Sequence, residues 1–578
     1  MKENGTYVRK ASTHRPFNHH KFFKLRVKSQ SSMVIKAATI MVLLVGSFGC
    51  APNPSVDVSL ETPTDATATP LPINISSDVP SELNPDGGGA PNATLQQAAA
   101  FAWQEFIALN WPAVPQNGDL NNRDTADTSK NFGDPTYNGP LVWHTFRSKA
   151  EIYPGQGNPN GYMDDPTESY GYDSLPSYIY NSSFGSTGQV PPFSPGTSDP
   201  TTPWINLDEN SEIGLNTMYA GVAQSLPANG QIMFLAKANR AEYVYVAENK
   251  YWAKPTTTPA PIANFPSGTI EVKSAWRQLT PDESTSGRFY QTTVRYYRNS
   301  GTTVAYVDEV WGMVALHIIQ KTPSSPYFIY ATFSQADNIL DVDGNHVEDE
   351  AGNLIRNQAA TPLEPNIVSQ NATINSKQTL TPGTSNLTLT DIGSRLYYKN
   401  LTSNPDLPQG LIALNKREHN IPDTIISANQ AAHTAIDSYN QANGFVTSPW
   451  LYYKLVNVQY KPYDKQPGIT YTGAPDGPDP STYYQANEVV ESDYNLQVFS
   501  GTFQDNTLIT DYKNGEEYKN VTYNGSGYLM GGCMGCHGNA QAMGADFSFI
   551  FLGGPVSIPQ PIGDEPALDK FKNLFPEK

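Results

Sequence analysis

Between residues 92 and 112 the chain reads NATLQQAAAFAWQEFIALNWP, with apolar residues at Leu95, Ala98, Ala102, Phe106 and Leu109. That three- and four-residue spacing marks one face of a helix; Asn92 or Thr94 offers a side-chain cap and Pro112 ends the run. From Ile213 to Phe333 the pattern changes. QIMFLAK (231–237), AEYVYVAE (241–248), TVRYYRN (293–299), TTVAYVDEVWGMVALHIIQK (302–321) and YFIYATF (327–333) alternate or sustain β-branched and aromatic residues, and each is predicted to be a strand. WLYYKLVNVQYKPYD (450–464) and NEVVESDYNLQVFSG (487–501) read the same way. Between Pro115 and Pro203 the Asn-, Gly-, Asp-, Pro- and Tyr-rich chain predicts long loops with short strands, and the polar stretch 369–391 marks a boundary or an insertion. No internal repeat is present.

Composition sharpens this picture. The 578 residues include 44 Gly, 47 Pro and 33 Tyr but only 16% charged residues, a balance that favours turns and half-buried strands over long surface helices. The fold class expected is mixed and β-rich, with long loops and a few helices. The first 49 residues read as a signal peptide: a basic leader, then AATIMVLLVGSFG (37–49), thirteen residues without a charge. Met33 is an alternative start. Gly49-Cys50 resembles a lipobox, so Cys50 is either lipidated or follows a simple cleavage or retained anchor. Residues 50–92, rich in Pro, Thr, Ser, Asp and Gly, are expected to be a disordered tether. Two regions then follow, 93–365, β-rich, and 366–578.

Nine of the 37 Lys and Arg, but one of the 55 Asp and Glu, precede Cys50; from there on 28 basic residues face 54 acidic ones, a net charge of −26. That balance speaks against nucleic acid as a partner. It serves solubility, or steers a basic protein partner toward the surface.

Cysteine usage carries the chemistry. Beyond Cys50 there are two, Cys533 and Cys536, and His537 follows them in GGCMGCHGNA (531–540). A thioredoxin-like pair belongs at the start of a βαβ unit, and a structural zinc site needs a second pair, so both readings are weak. C-x-x-C-H is the attachment signature of c-type haem: two thiols form thioethers with the vinyl groups and the adjacent imidazole becomes the proximal iron ligand. Only Gly538 to Lys578 follow the motif, too little chain for a class I cytochrome c fold. One covalent haem on a larger, non-cytochrome scaffold is therefore expected.

The stretches FAWQEFIALNWPA (101–113), EVKSAWRQL (271–279), GMVALHIIQKT (312–322), YATFSQADN (330–338), QANEVVES (485–492) and GCMGCHGNAQAMGADFSFIF (532–551) resemble a family of large bacterial proteins described as cytochrome c family or cytochrome c domain-containing proteins. The chain departs from that family at Ser334-Gln335, where the family carries Glu-His. The resemblance implies haem attachment and export, as a periplasmic or outer-membrane lipoprotein, over one full-length unit; it implies no substrate.

The sixth iron position decides what such a haem does. Met534 lies inside the motif, and Met530 and Met543 are too near it in sequence. His317 sits in an apolar run, Val314 to Ile319, and is the distal candidate, with His144 next. Its other reading is a core histidine satisfied by backbone or a carboxylate. Two strong ligands make a one-electron carrier with a redox partner protein; an open position makes a haem enzyme for a small oxidant, with peroxidase-like or nitrogen-oxide chemistry; a surface binding protein is the third class. DVDGNHVEDEAGN (341–353) is acidic like a calcium loop but lacks its Gly and Glu spacing, so a hairpin is expected. LNKREHNIPD (414–423), with His419, reads as a solvated surface.

Overall fold

The first helix forms for the reasons its pattern gives. α1 (Leu95–Leu109) is capped by Thr94, whose Oγ1 accepts the Gln97 N–H while the Gln97 side chain accepts the Thr94 N–H. In chain order there follow β1 (Arg147–Ser148), α2 (Lys149–Ile152), β2 (Ile205–Leu207), β3 (Thr217–Ala220), β4 (Met233–Ala238), α3 (Arg240–Glu248), β5 (Ile270–Arg277), α4 (Pro281–Thr285), β6 (Gln291–Ser300), β7 (Thr303–Thr322), β8 (Ser325–Gln335), β9 (Leu396–Lys399), β10 (Leu411–Leu414), α5 (Asp423–Ala442), β11 (Tyr453–Gln459), β12 (Asp511–Lys513), β13 (Glu516–Tyr518) and α6 (Phe549–Gly553). The computed structural model describes residues 70–114, 122–162, 169–180, 201–210, 217–220, 231–253, 263–300, 303–339, 346–355, 396–399, 411–414, 420–461, 487–490, 511–513, 516–518, 533–534, 537–538, 540, 544–556 and 558–562.

The main sheet is built on β7. Its first half pairs with β6 and its second half with β5 and β8, all antiparallel, giving the order β1-β4-β5-β7-β6-β2 with β8 and β11 extending from β7. An antiparallel bridge from Glu209, just past β2, to Phe234 of β4 nearly closes the sheet on itself. β-rich architecture with few helices is thus what the chain adopts.

Because side chains alternate along a strand, β7 serves two cores. Leu316 and Ile318 join Phe333, Leu455 and Val458 in one, covered by α1 and α5; Ile319 joins Phe328 and Tyr330 in the other, with Met534, Ala545, Phe547 and Phe551 from the C-terminal segment. In the first core the Trp103 ring meets Phe333 at 5.1 Å and Phe106 meets Phe333 at 4.4 Å. Asn429 of α5, fully buried, ties the layers: its Oδ1 accepts from Trp103 Nε1 and the Leu455 N–H, and its Nδ2 donates to Ala351 O and Leu455 O.

Several expectations are corrected. AEYVYVAE is not a strand but lies in α3, which buries Glu242, Tyr243, Val246 and Ala247, a helical spacing that its Tyr/Val alternation hides. α5 carries its own helical stripe, Ile425, Ala428, Ala432 and Ile436, diluted by polar residues on its other faces. Residues 487–490 form a turn, with Val490 N–H donating to Asn487 O, while the rest of 487–501 lies outside the described residues. The described part of the expected tether, from residue 70, is ordered: Ile73 and Leu83 are buried in the first core, and Glu82 caps the β7–β8 turn through Ser324 and Thr322. The division at 365/366 does not separate two folds, because β11 completes the sheet on β8 within a unit spanning Pro63–Lys578.

Asn429→Ala leaves the Trp103 and Leu455 donors buried without their acceptor. It is expected to cost about 2–4 kcal/mol, read as a lower urea midpoint for unfolding; an unchanged midpoint contradicts this role of Asn429.

Candidate functional site

The second face of the sheet is unusually polar. On β7 it presents His317, Ile319 and Lys321; His317 lies opposite Lys273 of β5 and Thr332 of β8, and Ile319 opposite Glu271 and Tyr330. A bulge in β11 between Leu455 and Asn457 turns Asn457 and Gln459 to the same side, opposite Thr332 and Tyr330.

The described residues of the C-x-x-C-H segment, Cys533, Met534 and His537, lie on this face. Residues 533–534, 537–538 and 540 are helical; Cys533 is half-buried and Met534 fully buried. The Met534 N–H donates to Gln459 Oε1 at 3.0 Å, which anchors the start of the motif on β11. The His537 ring meets Tyr330 at 4.9 Å and the edge of Phe549 at 4.8 Å. Its Nδ1 is 2.7 Å from Phe547 O. A carbonyl only accepts, so Nδ1 carries the hydrogen and Nε2 is left with its lone pair.

The loop that supplies this carbonyl is held under strain. Asp546 and Phe547 have φ of 45° and 65°, the left-handed region that costs roughly 1–2 kcal/mol per non-glycine residue. Asp546 Oδ2 offsets this by accepting from Lys321 Nζ at 2.8 Å and from the Phe265 N–H at 2.5 Å, and Ala263 N–H donates to Gly544 O. Ser548 then caps α6 by accepting the Phe551 N–H. Beyond α6 the chain straps back across the sheet: Val556 N–H donates to Tyr153 O, Gln560 N–H to Asp208 O and Ile562 N–H to Tyr297 O.

Both imidazoles at the site are neutral near pH 7. Burial pushes His537 down to about 4, with Lys273 adding to it and the Phe547 carbonyl opposing it. Burial pushes His317 down to about 3, and the positive charges of Lys273 and of a protonated His537 push the same way, so these three side chains share one neighbourhood. Neutral imidazole is the form that binds metals.

The structure therefore brings His317, 8% exposed, to the side of the sheet that His537 occupies. His144 goes elsewhere: it is buried among Trp143, Trp276 and Tyr290 in the first core. His433 is tied to Tyr453 O through Nε2, and His346 lies 3.4 Å from Asp337. Cys50, Cys536, Met530, Met543 and His419 lie outside the described residues. In the acidic stretch 341–353 the described carboxylates have protein partners: Asp349 accepts the N–H groups of Ala351, Gly352 and Asn353, Glu348 meets Lys454 of β11 at 2.8 Å, and Glu350 meets Arg288 at 3.1 Å. A bridge from Glu348 to Leu354 closes a small hairpin there. Gln459, Tyr330, Lys273 and Asp546 were not singled out by sequence reasoning. The signal available for them was polarity inside otherwise apolar strands, as with Gln459 at the end of β11.

Compared with known protein families, with curated proteins and with solved structures, the chain matches none of them.

Asp546→Ala strips the buried Lys321 ammonium of its carboxylate. The expected loss is on the order of 3–5 kcal/mol, with faster proteolytic cleavage in 540–548, whereas Asp546→Asn retains an acceptor and loses less. Equal stability of Asp546→Ala and the parent protein contradicts the clamp.

Proposed function

We propose that this chain carries one covalent c-type haem on Cys533 and Cys536, with His537 as the proximal iron ligand and His317 as the distal one, and that it serves as an exported one-electron carrier. The observation that supports the reading most is the hydrogen bond from His537 Nδ1 to Phe547 O, which fixes the ring and leaves Nε2 as the coordinating nitrogen. Bound there, haem supplies a one-electron iron couple.

The residues fit that group. Tyr330, Phe549 and Phe328 provide apolar and aromatic wall beside the motif, and Gln459 with the 544–548 loop holds both of its ends. Half-burial of His537 and Cys533 keeps the motif close to solvent, where a bound haem would be able to pass an electron to a partner. The acidic surplus suits a basic redox protein as that partner. Lipidation at Cys50 would fix the protein to a membrane in the periplasm or at the outer membrane; no described helix is long and apolar enough to cross one.

A second reading is favoured by polar groups along β8, whose Thr332 lies opposite His317. Asn487 Nδ2 donates to Thr332 Oγ1, and the buried Glu488 accepts from Ser334 Oγ at 2.5 Å. With the sixth position open, these residues would orient a small oxidant instead.

Haem stain on a denaturing gel tests the attachment: the parent protein is expected to stain and the Cys533→Ser, Cys536→Ser double variant to lose the signal. Stain surviving in that variant overturns the assignment. His317→Ala is expected to convert a six-coordinate low-spin spectrum to high spin and to open the iron to cyanide or carbon monoxide. A parent protein that is already high spin favours the second reading, and an unchanged low-spin spectrum in His317→Ala removes His317 as the ligand.

A further inference from the structure

The His537 ring meets two aromatic rings of opposite exposure. Tyr330 of β8, at 4.9 Å, is 3% exposed and belongs to the second core, whereas Phe549, at 4.8 Å, is 38% exposed. Through Tyr330 the imidazole is in contact with the interior; through Phe549 it is one side chain from solvent. Leu552, three residues further along α6 and so on the same side of it as Phe549, is half-buried, and so is Cys533; both pack against the second core. The exposure of Phe549 is held in place by the backbone before it. Ser548 Oγ accepts the Phe551 N–H at 2.9 Å, and the left-handed turn at Asp546 and Phe547 is tied down by Lys321.

An apolar patch at the mouth of a site marks a surface that something covers. Charge selects the occupant. From Cys50 onward 28 basic residues face 54 acidic ones, a net charge of −26. That surplus repels a second copy of this chain and an anionic lipid surface, and it attracts a basic protein. Transient redox complexes bury little area, so one aromatic anchor with a few apolar neighbours is enough to seat them while long-range charge brings the partners together.

We propose that Phe549, flanked by Leu552 and Cys533, is the docking surface for a basic one-electron redox protein, and that the electron crosses between the two proteins at the Phe549–His537 contact. The proposal rests on the haem reading and adds to it the place where the partner sits. The partner loses one electron and this protein gains it at the iron; no proton moves, and no bond forms or breaks. The reverse transfer oxidises this protein by one electron and reduces an acceptor of the same kind. Phe549 is a positioning residue in this scheme: it seats the partner against the ring that holds the iron.

The test is stopped-flow electron transfer between the haem-bearing full-length protein and a small lysine-rich cytochrome c, with an uncharged flavin semiquinone as a second reductant that needs no docking surface. The rate with the cytochrome is expected to fall as ionic strength rises. Phe549→Lys, which removes the anchor and sets a like charge against the partner, is expected to lower the ratio of the cytochrome rate to the flavin rate by about tenfold or more. Dividing by the flavin rate removes any change in driving force. Val446→Lys adds the same charge at a position 94% exposed just past α5, on the other cover of the sheet, and is expected to keep the parent ratio. If Phe549→Lys fails to fold or to carry haem, Leu552→Lys is read in its place. A salt-independent parent rate, a parent ratio in Phe549→Lys, or an equal loss in Val446→Lys overturns the docking surface. Self-association or vesicle binding that Phe549→Lys abolishes while the ratio stays unchanged gives the patch to a second copy or to lipid, and overturns it too. Absence of covalent haem from the parent protein overturns the haem reading, and this inference with it.

Discussion

A strand that is buried on both faces needs two covers, and β7 is such a strand from Trp311 to Thr322. Everything else in the described structure follows from how those covers are supplied. Leu316 and Ile318 are closed off by the two long helices, α1 and α5, with Asn429 locking helix, helix and β11 together. His317, Ile319 and Lys321 point the other way, and α3 and the C-terminal segment close that side. The described residues of the C-x-x-C-H motif lie on that second side. The wall it rests on is complete by β11, and the motif is laid over it.

The two covers differ in chemistry. The helical side is a dense aromatic and aliphatic core. The other side buries His317, Lys321, Glu271, Asn457 and Gln459, and burying polar groups costs free energy unless each finds a partner. Partners are supplied individually, Asp546 for Lys321 and the Met534 N–H for Gln459. Apolar residues would cover a sheet face more cheaply. A face built from matched polar contacts is what a site that must hold a ring nitrogen, a charge or a proton in place requires.

The motif is clamped from both directions. Gln459 holds its start, the strained Asp546-Phe547 turn holds the imidazole, and the strap through Val556, Gln560 and Ile562 carries the end of the chain back to α2, β2 and β6. Left-handed backbone at two consecutive non-glycine residues persists because the Lys321–Asp546 pair and the His537 hydrogen bond over-determine it.

What could be read without coordinates was local. The capping residues and apolar stripe of α1, the long alternating strands β6 to β8, and the C-x-x-C-H spacing each depend on residues a few positions apart, so the amino-acid order determined them. AEYVYVAE failed as a strand because aromatic and β-branched residues fit either structure, and packing against the site chose the helix. Residues 70–92 failed as a tether because Ile73 and Leu83 found a core that a composition count does not contain. The placement of His317 on the face that His537 also occupies, the exclusion of His144 to the opposite core, and the clamp on Asp546 were settled by tertiary structure alone. They depend on which face of β7 the C-terminal segment covers, and a one-residue change in strand register would exchange those faces without altering any local pattern.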